Sequence, residues 1–433
     1  MKTNNDIGPL PRPTIGFSDL RLDFPESVVL SNGIPLTVVG DGEDDVSRLS
    51  ILIHAGTFEE DLLLTATATA QALYEGTSRH TADEMAELLD RNGAFQTSQA
   101  YDHRTVTTLS TLNDTLRDVL PVAVEALDDA AFRPEDVEQH LRRLRANCEL
   151  ALRRVKYLST QEVKRLYYGD GHPLAANPMP TDVDALNADV LRDFHRRYFH
   201  VDNCLLIIAG KVTDRELAIV DDTFGHWQRR GDATVERTFT IQPSATSESV
   251  IHVPDAVQAS ISMAIKGIPR RHPDYFNLRI LTTVLGGYFG SRLMANIRER
   301  KGLTYGIGAS LLGREDNAMV GIGSECDTAN TRQVIDEINA ELRTLREERI
   351  PQHELNTVKQ YMLSDLAKSL DTPFSIASTI ANRWLHGTYP EYFNRQVEAI
   401  NNVTPDDLIE TARRYYTDDN TFLAIACDRD KLK

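Results

Sequence analysis

Residues 187–210, NADVLRDFHRRYFHVDNCLLIIAG, align without a gap on residues 404–427, TPDDLIETARRYYTDDNTFLAIAC, at an offset of 217. Ten of the 24 positions are identical, including Arg196-Arg197-Tyr198 with Arg413-Arg414-Tyr415 and Asp202-Asn203 with Asp419-Asn420. Each block reads as a capped helix, an Asp-Asn turn and a buried strand. The match extends upstream. Residues 132–154 correspond to 350–370, where a proline opens a long amphipathic helix in both copies, and LLDRNGAF (88–95) corresponds to IRERKGLT (297–304). The chain is therefore a tandem duplication of a unit of about 200 residues, too long for a solenoid repeat. The expected division is a first repeat over 1–225, a polar, Ser/Thr-rich linker over 226–248 and a second repeat over 249–433.

Within the first repeat, SVVLSNGIPLTVVG holds two short strands around Asn32-Gly33, a strong hairpin signal. RLSILIHAG supplies a third strand, and AFQTSQAYDHRTVTTLSTL two more. Helices are expected over 113–130, 134–157 and 187–199, covering one face of the sheet. The fold class is α+β, with a mainly antiparallel sheet in each half. A net charge of −17 argues against a nucleic-acid partner, which needs clustered Lys and Arg. The longest apolar run, Cys204–Ala209, falls far short of the ~20 residues of a membrane span, so no membrane partner is expected. Cys148, Cys204, Cys326 and Cys427 form no C-x-x-C and read as buried free thiols. The opening MKTNNDIGPLPRPTIG has no apolar signal stretch, so a cytoplasmic location is expected.

Five segments carry a resemblance in consistent order: LSNGIPLTVV, HAGTFEED, ALYEGTSRHTADEMAELLDRNGA, FHRRYFHVDNCLLIIAGKV and VLGGYFGSRLMANIRERKGLTYGIGASL. Together the chain resembles the insulinase family of zinc peptidases, which includes pitrilysin and mitochondrial processing peptidase. The resemblance implies duplicated α+β units enclosing a peptide chamber. In active members a helix closed by a segment like Leu73-Tyr74-Glu75-Gly76-Thr77 bears H-x-x-E-H. Two His four residues apart share a helix face and ligate Zn²⁺, while the Glu is the general base. Those five positions fall here on Thr67, Ala68, Thr69, Ala70 and Gln71, inside TATATAQALYEGT. Thr67 and Gln71 are poor ligands, and Ala70 cannot accept a proton. The family's downstream Glu ligand falls near Glu149, which reads better as a solvated helical Glu. Gly76 is expected to cap the helix. No His pair stands at i, i+4 anywhere in the chain, and His54, in an apolar strand, reads as a packed core residue. No metal is expected in this chain.

The resemblance implies a second set of residues that the chain retains. Family members place an Arg and, seven residues on, a Tyr across the chamber from the zinc; RERKGLTY presents Arg298 and Tyr305 at that spacing. Both can donate to a developing oxyanion. The repeat-equivalent positions hold Leu89 and Gln96, so the pair is not a by-product of duplication. In LGGYFGSRL, Gly286, Gly287 and Gly290 permit positive φ and close backbone approach, and are expected to line the peptide chamber. In some bacterial members one subunit carries zinc and the other the Arg-Tyr pair. The expectation is the second type: no peptidase activity alone, a zinc-bearing homologous partner, and an extended peptide added to a sheet edge at 94–101 or 104–112. The competing reading is an inert scaffold of the same fold.

Overall fold

The computed structural model describes residues 20–25, 27–232, 234–388 and 390–432. The reading of the first sixteen residues lies outside them. Asn32 and Gly33 turn the chain as their types dictate. Gly33 takes φ +98°, which a Cβ would strain, and strands β1 (Ser27–Val29) and β2 (Pro35–Val39) pair antiparallel across it. The other strands of the first sheet are β3 (Val46–Ile53), β4 (Phe95–Ala100), β5 (Thr105–Leu112) and β6 (Cys204–Gly210), in the order β1-β2-β6-β3-β5-β4. The second sheet holds β7 (Glu248–His252), β8 (Gln258–Lys266), β9 (Thr304–Gly313), β10 (Ala318–Asp327) and β11 (Thr421–Cys427), in the order β7-β11-β8-β10-β9. In each sheet one neighbouring pair, β2 with β6 or β7 with β11, is parallel, and the rest are antiparallel.

Helices of the first half are α1 (Thr65–Ala72), α2 (Ala82–Arg91), α3 (Leu116–Asp128), α4 (Pro134–Ala151), α5 (Val155–Tyr168), α6 (Pro180–Asp184), α7 (Ala188–Tyr198) and α8 (Asp214–Phe224). Those of the second are α9 (Tyr275–Thr282), α10 (Thr331–Glu347), α11 (Gln352–Lys368), α12 (Pro373–His386), α13 (Tyr392–Asn402) and α14 (Pro405–Tyr415). The repeat is literal at the backbone: α7 and β6 become α14 and β11 with every boundary displaced by the same 217 residues. Cap chemistry repeats with them. Asn187 accepts from the N–H groups of Asp189 and Val190, and Thr404 and Asp407 form a reciprocal capping box.

Two expectations are corrected. The helix over 134–157 breaks after Ala151 and restarts at Val155. The second piece, α5, leaves its own half: Val163, Leu166 and Tyr167 bury against Ala264, Met319 and Ala424 of the second sheet. α12 returns the exchange, seating Ala377, Ile380 and Ala381 on Val39, Leu52, Leu205 and Ile207 of the first sheet. Helices therefore cover both faces of each sheet, one face from within the half and one from the other half, rather than a single face. Polar bonds pin the exchange. Tyr167 donates to the Ala318 carbonyl at 2.6 Å, and the Ser159 hydroxyl lies 2.9 Å from those of Ser260 and Ser262. Residues 226–248 carry no helix among the described residues, yet they are anchored: Trp227 is buried and donates to Asp128 at 2.9 Å, and the Gln242 N–H donates to the Tyr168 carbonyl at 3.0 Å. All four cysteines are free; Cys204, Cys326 and Cys427 are buried and Cys148 half-buried.

Candidate functional site

TATATAQA folds as helix α1 because its surroundings decide what its propensity leaves open. Ala66, Ala68 and Ala70 are fully buried, and small side chains let α1 lie close against α4, α7 and the strands β4 and β5. Leu64 enters at φ +71° and caps nothing with its side chain. Glu60 does that work: its carboxylate accepts the N–H groups of Leu64 at 3.1 Å and Ala66 at 2.9 Å. Burial outweighs those donors and pushes the Glu60 pKa up to about 7. The expected Gly76 cap is corrected: α1 ends at Ala72 with Leu73 still right-handed, and Gly76, at φ +117°, lies in the following turn, bridged to Thr81.

Zinc does not fit the family position. Thr67 is half-buried, Ala70 fully buried and Gln71 exposed. A hydroxyl and a carboxamide do not replace two imidazoles around Zn²⁺. Glu149 is half-exposed on α4 and faces Arg145 at 3.4 Å.

The second half is built differently. Thr283–Gly287 and Met294–Arg300 are π-helical, a rare geometry that often marks functional positions. Arg298 lies on the second of these. Its guanidinium carbon stands 4.9 Å from the Phe289 ring centre and 5.2 Å from that of Tyr305. Nearby cations are neutralised, Arg300 by Glu341 and Lys301 by Glu337, but the Arg298 guanidinium has no ion pair or hydrogen bond among the described residues. Tyr305 is 89% exposed. It occupies a β-bulge at the start of edge strand β9: Thr304 pairs with Cys326 and Gly306 with Glu325, which leaves Tyr305 as the extra residue. The Thr304 side chain fixes the bulge. Its Oγ1 lies 2.6 Å from the Glu325 carbonyl and 2.9 Å from that of Gly306, and accepts the Gly306 N–H at 3.1 Å. The equivalent strand β4 pairs with β5 in regular register.

Gly286 and Gly287 line a cavity of about 400 Å³ between α5, β9 and β10; Gly290 is not among its walls. None of the three has a positive φ, which corrects one reason expected for them. Close approach holds at Gly286, where a Cβ would stand 2.4 Å from the Ala309 nitrogen. For the peptide edge, β4 (95–100) is an outer strand, whereas β5 is interior and has no free edge, so the alternative 104–112 is corrected. The second free edge near the pair is β9 itself.

Two family models match successive parts of the sequence: insulinase (peptidase family M16) over residues 37–164, and the peptidase M16 inactive domain over 185–362. The chain belongs to the M16, or insulinase, peptidase family. This M16 chain is 25% identical over 360 residues, 82% of its length and 86% of the relative's, to the uncharacterized zinc protease YmxG of Bacillus subtilis. It is 21% identical over 304 residues, 69% of its length and 70% of the relative's, to the probable inactive metalloprotease YmfF of the same organism. A peptidase M16 inactive domain from Pseudomonas fluorescens superposes with a TM-score of 0.83 at 20% identity, covering 93% of this chain and 98% of that one, which bears on fold alone. Among the described residues of this M16 chain, no helix is long and apolar enough to cross a membrane. One cluster that sequence reasoning missed has the donors of a metal site: His54, Glu59 and His103. His54 is buried, as expected, but its Nε2 has no hydrogen-bond partner. The cause is the long-range pairing of β3 with β5, which sets Ile53 opposite Thr105 and so brings His54 and His103 to one sheet end.

Proposed function

We propose that this chain is the non-catalytic, substrate-handling subunit of a two-subunit M16 zinc endopeptidase. A homologous partner carries the zinc, and Arg298 and Tyr305 complete its site. The observation that carries this reading is the Tyr305 bulge. An aromatic ring 89% exposed contributes little to a core, yet a bulge tied by Thr304 aims it outward beside an unpaired guanidinium. When water adds to a peptide carbonyl, the oxygen becomes an oxyanion. The Tyr305 hydroxyl and the Arg298 N–H groups can donate to it, and donors fixed in advance need no reorganisation at that moment. The peptide would extend along a free sheet edge, as in β-strand addition. Alone, the chain should cleave no peptide, since Thr67, Ala70 and Gln71 replace the ligands and the base.

The test mixes the chain with an H-x-x-E-H-bearing family member encoded beside it, confirms a complex by size, and measures kcat and KM on a peptide. Tyr305→Phe removes one hydrogen bond and keeps the ring, so turnover should fall by about 10²–10³. Arg298→Ala should impair both turnover and affinity, because a guanidinium also grips the ground state. If both variants form the complex and stay within about threefold of wild type, far inside that range, the pair has no such role and the inert scaffold is the better reading.

A further inference from the structure

We propose that His54, Glu59 and His103 bind a divalent transition-metal ion, Zn²⁺ foremost, at the junction between the two halves, through residues other than those at the family's zinc position. Three segments meet there. His54 follows β3, Glu59 lies in the loop leading to α1, and His103 sits in the turn between β4 and β5. One ligand atom from each lies within 4.8 Å of the others. His54 Nε2 is 3.7 Å from Glu59 Oε1, and His103 Nδ1 is 2.9 Å from the same oxygen. Ligands on a tetrahedral Zn²⁺ with bonds of ~2.0–2.2 Å stand about 3.3–3.6 Å apart, so the two Glu59 separations lie within about half an ångström of that geometry, while the two imidazoles, within 4.8 Å of each other, would close in on the ion by up to about an ångström. Glu236 Oε1, 3.8 Å from His54 Nε2, or a water supplies the fourth position.

Three features separate this cluster from a chance meeting of polar groups. His54 is only 8% exposed, and its buried Nε2 has no hydrogen-bond partner, so an electrophile there would satisfy an otherwise orphaned atom. The carboxylate is held as metal-binding carboxylates are: its other oxygen, Oε2, accepts the Gly56 N–H at 2.9 Å, which aims Oε1 at the two imidazoles. Two imidazoles and a carboxylate are, moreover, the donor set preferred by borderline divalent ions such as Zn²⁺. Other charges near the cluster include Arg104, 3.4 Å from Glu236, Asp102, paired with Arg314 of the second half at 2.5 Å, and Glu60 and Arg237, which both interact electrostatically with Glu59. The ion would tie the ends of β3 and β5 to the inter-half segment through Glu236, beside a cavity of about 470 Å³ walled by both halves. This role is structural and independent of the peptidase reading above.

The full chain, stripped with a chelator and titrated with ZnSO₄ by calorimetry, should take up one equivalent, and its unfolding midpoint should rise with free zinc. Glu59→Gln and His103→Gln should each weaken uptake by at least the ~10–100-fold seen when a residue merely hydrogen-bonded to a ligand is changed. Thr67→Ala and Gln71→Ala should leave it unaltered. Should a cluster variant fail to fold, the wild-type chain supplies the answer: zinc should protect His54 and His103 from histidine-directed acylation mapped by mass spectrometry. Absence of saturable one-to-one uptake would overturn the proposal and leave a hydrogen-bonded His-Glu-His cluster. So would uptake unchanged in folded cluster variants, or protection confined to other histidines.

Discussion

At the scale of single residues, the two halves diverge where the repeat is otherwise strict. His195 of α7 stands where α14 has Ala412. Its Nε2 lies 2.9 Å from the Leu127 carbonyl, between the rings of Phe132 and Phe199. Burial, and then the charge of Arg229, push its pKa down to about 3 against the help of that carbonyl. Its pKa is therefore lower folded than unfolded, so the unfolded chain binds the proton first. Stability is fully present above the unfolded value of about 6.5 and is lost as pH falls toward the folded value. At pH 5 the loss from this one group amounts to about 2 kcal/mol. His195→Gln keeps a donor for Leu127 and cannot titrate in this range. Thermal unfolding from pH 7.5 to 5 should show a shallower decline for the variant than for wild type; parallel declines would mean that the acid sensitivity lies elsewhere.

Elements show how a lost motif becomes locked in. Ala70 is fully buried in α1, so the helix has settled into a space that no longer admits a general base. Ala70→Glu should destabilise the chain by at least ~3 kcal/mol, the order of an uncompensated buried charge, measurable by denaturant titration. Restoring the zinc motif by substitution in α1 alone should accordingly yield an unstable protein rather than a peptidase. The β9 bulge makes a complementary prediction, which rests on the proposed function. Thr304→Val removes the hydroxyl shared by Glu325 and Gly306. In the complex it should lower kcat at least tenfold with little change in KM, within the range for a misplaced oxyanion donor, and Thr304→Ser should restore it. The strands, their hairpin and the order of helices were legible in the sequence, because period and turn chemistry are local: Asn32-Gly33 turns as such pairs do. The break after Ala151 was not, since nothing in 152–154 forbids a helix and the cause is a distant sheet that α5 must reach. Arg298 and Tyr305 were singled out by the family resemblance rather than by any local pattern, and the bulge that exposes Tyr305 is a property of pairing with β10. His54, Glu59 and His103 escaped notice for the same reason, their meeting being set by register between strands far apart in sequence.

For the whole molecule, the decisive fact is that α5 and α12 each complete the other half's sheet. The two repeats are thus equivalent in backbone without being independent in stability. Residues 1–225 and 249–433 expressed separately should each expose an apolar sheet face and aggregate, whereas co-expressed they should elute together at the size of the intact chain. Two soluble, cooperatively unfolding fragments would show that the exchanged helices are dispensable. The exchange also sets a timetable. The first sheet is finished once Gly210 has left the ribosome, but the helix that covers its second face ends at His386, about 175 residues later. At about 5–20 residues per second that is a wait of roughly 9–35 s. Through that interval a nascent chain carries Leu52, Leu205 and Ile207 bare, a surface that a chaperone at the ribosome can hold and that the finished protein hides.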